Sequence, residues 1–279
     1  MLDMFFDWRR WGSLLALLFL CCGLACAQDN YEIQVYGSDT VPEDNLMVEL
    51  HSNFTVDGSK TVVDGVIPTN HAEHETLELT YGWNSWFETG FYVFTSINPG
   101  YGWQWVGDHI RPRVRVPESW HWPVGVSLST EIGYQQAQFS PDTWTWEIRP
   151  IVDKQYKRWY FAFNPALERS LHGPGVNDGF AFSPNAKVSY EFVKWRSGNN
   201  PKNVAFGLEY YGSFGPIPDF SPYPQQQQQF FPAIDLDVSP KWEINFGVGI
   251  GTTQSTDHLI VKSIIGRRFS FRRDRASAQ

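Results

Sequence analysis

The chain has 279 residues, with 22 Lys and Arg against 30 Asp and Glu and a formal net charge of −8, a balance that argues against nucleic acid as a partner. Aromatic residues make up 16% of it and charged residues 19%, the mixture that alternating strands produce. After the first few tens of residues no run approaches the ~18–20 apolar residues of a membrane-spanning helix, so a chain of this composition is either soluble outside the cytoplasm or crosses a membrane as strands.

Arg9 and Arg10 precede an apolar run from Leu14 to Leu24 that ends in Ala25-Cys26-Ala27. A charged start, a short apolar stretch and an A-x-A site predict a cleaved signal peptide over residues 1–27. Cys21, Cys22 and Cys26 all fall within it, so disulfides and thiolate metal sites are not expected in the exported chain. Gly23 stands where a lipoprotein signal carries Leu, three residues before Cys26, so lipidation is not expected. Residues 28–43, "QDNYEIQVYGSDTVPE", are either a periplasmic lead-in or a small plug folded into a lumen.

Residues 44–269 divide into about twelve segments of strand length: 44–55, 73–82, 85–95, 105–116, 123–135, 143–154, 158–168, 178–192, 203–213, 230–239, 241–251 and 257–269. Connections after the odd-numbered segments are mostly long and rich in Gly, Pro and polar residues. Those after the even-numbered ones are mostly short, with "VKWRSGNNPKN" as the exception. Trp83, Trp86, Trp120, Trp122, Trp159, Trp195 and Trp242 sit at the short turns, and Trp103, Trp105, Trp144 and Trp146 near the long loops. Two aromatic girdles and alternating loop lengths predict an all-β, antiparallel transmembrane β-barrel of about twelve strands, with both termini periplasmic.

In "GDHIRPRVRV", Arg111, Arg113 and Arg115 alternate with Pro112, Val114 and Val116. A lipid-facing Arg at the bilayer midplane would cost ~2–4 kcal/mol, so all three are expected in the lumen. By the same parity Glu88, Glu131, Glu147, Arg149 and Lys187 join them in a charged wall, extended by Glu168, Glu209, Asp235, Asp237 and Lys262. Pro112, Pro150, Pro184 and Pro232 lie on the predicted lipid face, where bulges or kinks are expected. The loop "PIPDFSPYPQQQQQF" reads as a mobile exposed segment, and residues 270–279 as a basic tail.

The last segment, "LIVKSIIGRRF", resembles the C-terminal assembly signal of bacterial outer-membrane β-barrels, with Lys262, Gly266 and aromatic Phe269, although "SFRRDRASAQ" continues beyond it. "YEIQVYGSDTV…VELHSNFT" and "YGWQWVGDHIRPRVRVPESWHWPVG" resemble an uncharacterised family of such barrels, itself similar to outer-membrane transporters found with aromatic-degradation genes. The resemblance spans residues 30–269. It implies the outer membrane of a Gram-negative envelope, with outer-membrane lipid and the barrel-assembly machinery as partners, and it carries no catalytic or ligand residues.

His51, His74, His109 and His258 share lumen parity, and gathered at the outer mouth they would bind a divalent metal or respond to pH; the alternative is four hydrogen-bonded lumen histidines. Ser127 and Ser129 face the lumen and His172 lies in a loop, without a local nucleophile signature, so no catalytic residue and no cofactor is assigned. The expected function is a passive channel or facilitator for small solutes, with lumen acids favouring cations. A closed structural or surface-interaction barrel and a lipid-modifying hydrolase are the alternatives.

Overall fold

The computed structural model describes residues 30–197 and 200–271; the expected signal peptide and nearly all of the expected tail lie outside them. Twelve antiparallel strands close into a barrel: β1 (Asn45–Asp57), β2 (Glu73–Gly82), β3 (Phe87–Asn98), β4 (Gly102–Arg115), β5 (Gly125–Gln135), β6 (Trp144–Tyr156), β7 (Trp159–His172), β8 (Ala181–Ser197), β9 (Asn200–Ser213), β10 (Gln227–Ser239), β11 (Trp242–Gly251) and β12 (Leu259–Ser270). Each strand pairs with its neighbours in sequence, and β1 closes on β12 from Asn45↔Ser270 to Asp57↔Leu259. Closure leaves no unpaired edge, which is what strands in lipid require.

Alternation assigns the faces as expected. Ile110 is 50% exposed while its neighbour Arg111 is 1% exposed, and Leu128, Ile132, Phe161, Phe163, Phe206, Leu208, Phe246, Ile250 and Ile265 continue the outward apolar band. Burying these side chains in lipid and the charged set inside both follow from the same period of two.

Three local expectations are corrected. Ladder pairs are missing around Pro112, Pro150 and Pro232, yet the register on either side is unchanged. Proline removes a donor without inserting a residue, so it interrupts the ladder and does not bulge it. Register shifts fall instead at positions such as Phe94/Thr95 and Glu191/Val193. The β3–β4 connection, expected to be long, is a tight turn because the ladder runs on to Asn98↔Gly102. The glutamine run is part of β10: Gln227, Gln228 and Gln229 are buried, and Gln228 accepts a 2.6 Å hydrogen bond from Tyr210.

Long loops gather at one end of the barrel and most short turns at the other. At the long-loop end, the loops over residues 58–72 and 136–143 meet at buried Ile67, whose N–H donates to the Gln138 carbonyl at 2.9 Å. The shift at Phe94/Thr95 turns Val106 into the lumen, fully buried, while Trp105 faces outward. Val106, Ile67, Tyr92, Phe94, Phe139 and Tyr31 form an apolar cluster beneath those loops.

Candidate functional site

Residues 30–44 thread the lumen as an extended strap. Its first described residue, Asn30, is at the long-loop end, where its side chain donates to Asp257 at 2.6 Å and its carbonyl accepts from Asn53 at 2.8 Å. From there it descends to the short-turn end and enters β1. The described residues therefore start at one end of the barrel and finish at the other. Tyr31, Ile33 and Val35 are buried in alternation with half-buried Glu32 and Gln34, and Tyr36 and Val41 are also buried.

The barrel wall holds the strap through its backbone and its side chains. Asn164 brackets Tyr36, accepting from its N–H at 2.7 Å and donating to its carbonyl at 3.0 Å. Arg113 donates to the carbonyls of Gly37 (3.0 Å) and Asp39 (2.7 Å), Lys262 to that of Ile33 (2.9 Å), and Glu88 accepts from Val41 N–H at 2.6 Å. The Tyr36 ring lies under three guanidinium groups, those of Arg111 at 4.6 Å, Arg149 at 5.2 Å and Arg113 at 5.7 Å from its centroid. Desolvated cations over an aromatic face attract it strongly. Gly82 lets the strap pass, since a Cβ there would stand 2.2 Å from the Val41 carbonyl oxygen.

The predicted charged residues all face the lumen, but they form separate clusters under the strap and not one bare wall. Arg111 pairs with Glu78 at 2.7 Å and lies 3.7 Å from Glu88; Arg113 pairs with Glu88 at 2.7 Å. Arg115 reaches the rim, 3.0 Å from Asp39 and 3.4 Å from Glu118, both exposed. Arg149 bridges Glu147 (2.6 Å) and the strap's Glu32 (3.1 Å). Lys187 bridges Asp235 (2.8 Å) and Glu209 (3.1 Å), and Lys262 pairs with Glu209 as well. Glu131 pairs with His109 at 2.5 Å.

The four histidines do not converge. His51 lies 3.4 Å from Glu78, His74 contacts Ser96 at 3.4 Å and the Tyr31 ring at 4.8 Å, His109 is held by Glu131, and His258 is exposed in the β11–β12 loop. The first three are buried inside the barrel, but residues of one parity on β1, β2 and β4 point into separate sectors of it. Nor do Ser127 and Ser129, whose hydroxyls are buried without hydrogen bonds, meet His172, which bonds Thr143 at 2.7 Å. The roles of Glu32 and Tyr36 escaped sequence reasoning, although the alternation in "YEIQVY" is a strand-like signal that could have flagged the strap as embedded.

Beside the strap, at the short-turn end, is a cavity of about 430 Å³. Asp39, Glu49, Glu191, Glu209, Asp235, Asp237 and Glu243 line it against only Arg158, Lys187 and Lys262. Towards the other end Tyr31 packs into the apolar cluster. An acidic vestibule thus lies at the short-turn end and an apolar cluster at the long-loop end, with the strap running between them.

No family model and no curated protein matches the chain. Among solved structures it is similar to the COG4313 outer membrane channel from Pseudomonas putida F1, at 9% identity and a TM-score of 0.52, covering 85% of this chain and 100% of that one. The NanC porin (9% identity, TM-score 0.46, 82% and 100% covered) and the KdgM porin (8%, 0.44, 81% and 99%) are more distant. With its closed ladder, outward apolar band and charged lumen, the chain has the fold of a twelve-stranded outer-membrane β-barrel.

Proposed function

We propose that the chain is a passive outer-membrane channel for small polar solutes, gated by its own N-terminal strap. The observation that carries this reading is the acidic cavity of about 430 Å³ ending against a strap whose anchors include hydrogen bonds to its backbone. Water can replace such bonds with little enthalpic loss, which lowers the cost of moving the strap, while its apolar side chains Tyr31, Ile33 and Val35 hold it in place until it moves. A barrel built only to be closed would fill this space, as protein interiors do. The short-turn end faces the periplasm in this reading, and β12 is the strand read by the barrel-assembly machinery. The kinship with transporters found with aromatic-degradation genes belongs to the same proposal, and the excess of carboxylates leads us to expect neutral or cationic solutes over aromatic acids.

The test is planar-bilayer recording of the full protein beside a variant lacking residues 30–39. Brief, rare openings in the full protein and sustained, cation-preferring conductance in the variant are expected. A folded, heat-modifiable strap-deleted barrel that conducts nothing would overturn the channel reading and leave the closed structural barrel.

A further inference from the structure

Glu49 and His51 alternate on β1, and Glu49 stands directly opposite Glu78 on β2. Two carboxylates opposed across a ladder repel each other, and here both are buried. Arg111 donates to Oε1 of Glu78 at 2.7 Å, an oxygen that also accepts from Thr80 at 2.7 Å. These two bonds fix the Glu78 carboxylate so that Oε2, which has no hydrogen-bond partner, is directed at His51 Nε2, 3.4 Å away. His51 is fully buried; its Nε2 faces Glu78 and its Nδ1 makes no hydrogen bond. A fully buried imidazole thus stands beside two buried carboxylates opposed across the ladder, an arrangement that a bound cation would relieve.

We infer that Glu49, His51 and Glu78 form a binding site for one divalent first-row cation of the zinc type, entered from the acidic cavity. One ligand atom from each of the three lies within 4.8 Å of the others. Two ligands on a tetrahedral ion with bonds of ~2.0–2.1 Å stand ~3.4 Å apart, the separation found between His51 Nε2 and Glu78 Oε2. Glu49 completes the set by a small side-chain shift. An imidazole with two carboxylates suits zinc, cobalt or nickel and not the all-oxygen shell of calcium or magnesium. Access is provided by Glu49 itself, which lines the cavity, while His51 and Glu78 lie behind it. Arg111 and Thr80 supply the outer contacts that orient a metal-bound carboxylate. The site does not depend on the channel reading, because it would bind an ion in a closed barrel with a wet vestibule as well.

The experiment uses untagged full protein in detergent, stripped with a chelator and titrated with zinc by calorimetry, beside His51→Ala, Glu49→Gln and, as a remote control, His258→Ala. One zinc per chain is expected. Loss of an outer-contact residue typically weakens a metal site by about 10–100-fold, so His51→Ala and Glu49→Gln, which remove ligands, should weaken binding at least as much. His258→Ala should match the parent. No binding by the parent protein, or binding that His51→Ala leaves unchanged, overturns the inference. Where a variant does not fold, X-ray absorption on the zinc-loaded parent decides: an imidazole in the first shell supports the site, and an oxygen-only shell overturns it.

Discussion

Arg113 and Arg115 sit two residues apart on β4 with the same chemistry and unlike surroundings. Arg113 is buried and holds Glu88 and two strap carbonyls, whereas Arg115 meets two exposed carboxylates at the rim. Removing one partner of a buried pair strands the other charge, so Arg113→Ala should cost ~3–5 kcal/mol. Arg115→Ala should cost no more than ~1 kcal/mol, because solvent screens its partners. Urea titration of the heat-modifiable band gives both values, and equal losses would contradict the assignment. Gly133 offers a second test at this scale. A Cβ there would fall 1.7 Å from the His109 ring, so Gly133→Ala should displace His109 from Glu131 and cost ~1–3 kcal/mol as an overpacked site.

Among the elements, the strap is where a small change should have the largest functional effect. At Gly82 the obstructing atom is a backbone carbonyl, which cannot swing aside as a side chain would. Gly82→Val is therefore expected to lever the lower strap away from the wall, seen as faster proteolysis within residues 37–44 and longer channel openings in bilayers; unchanged protease resistance and gating would refute it. The strands themselves were readable in the sequence because lipid enforces a strict contrast between faces, visible in pairs such as Ile110 and Arg111. Where that contrast lapses, reading failed: Gln227–Gln229 extend β10 above the apolar band, where a polar ladder has no hydrophobic signature. The inward turn of Val106 was likewise hidden, since a one-residue bulge inverts parity without leaving a compositional trace. The histidines show the remaining limit. Parity tells which side chains enter the lumen, and only the ladder register and the strap determine which of them meet.

For the whole molecule, the distribution of charge matters more than its total. The guanidinium groups gather around Tyr36 and are neutralised there, whereas the cavity keeps a surplus of carboxylates. Fixed charge along a narrow path selects ions by sign, and the selection weakens as salt screens it over ~10 Å at 0.1 M. Reversal potentials in a salt gradient should therefore show cation preference in the strap-deleted barrel. The preference should fall in the variant carrying Asp235→Asn, Asp237→Asn and Glu243→Gln, and should fade at high salt in both. Anion preference in the unsubstituted barrel would place the path elsewhere.

An even number of membrane crossings returns a polypeptide to the side from which it set out. Here the strap adds one more passage, down the middle of the barrel instead of around its wall, and the count becomes odd. A label attached just before Asn30 and one attached just after Phe271 should thus be quenched from opposite faces of the same membrane. Expelling the strap would bring both within reach of a single reagent, so the strap's position could be followed in intact cells without recording a current.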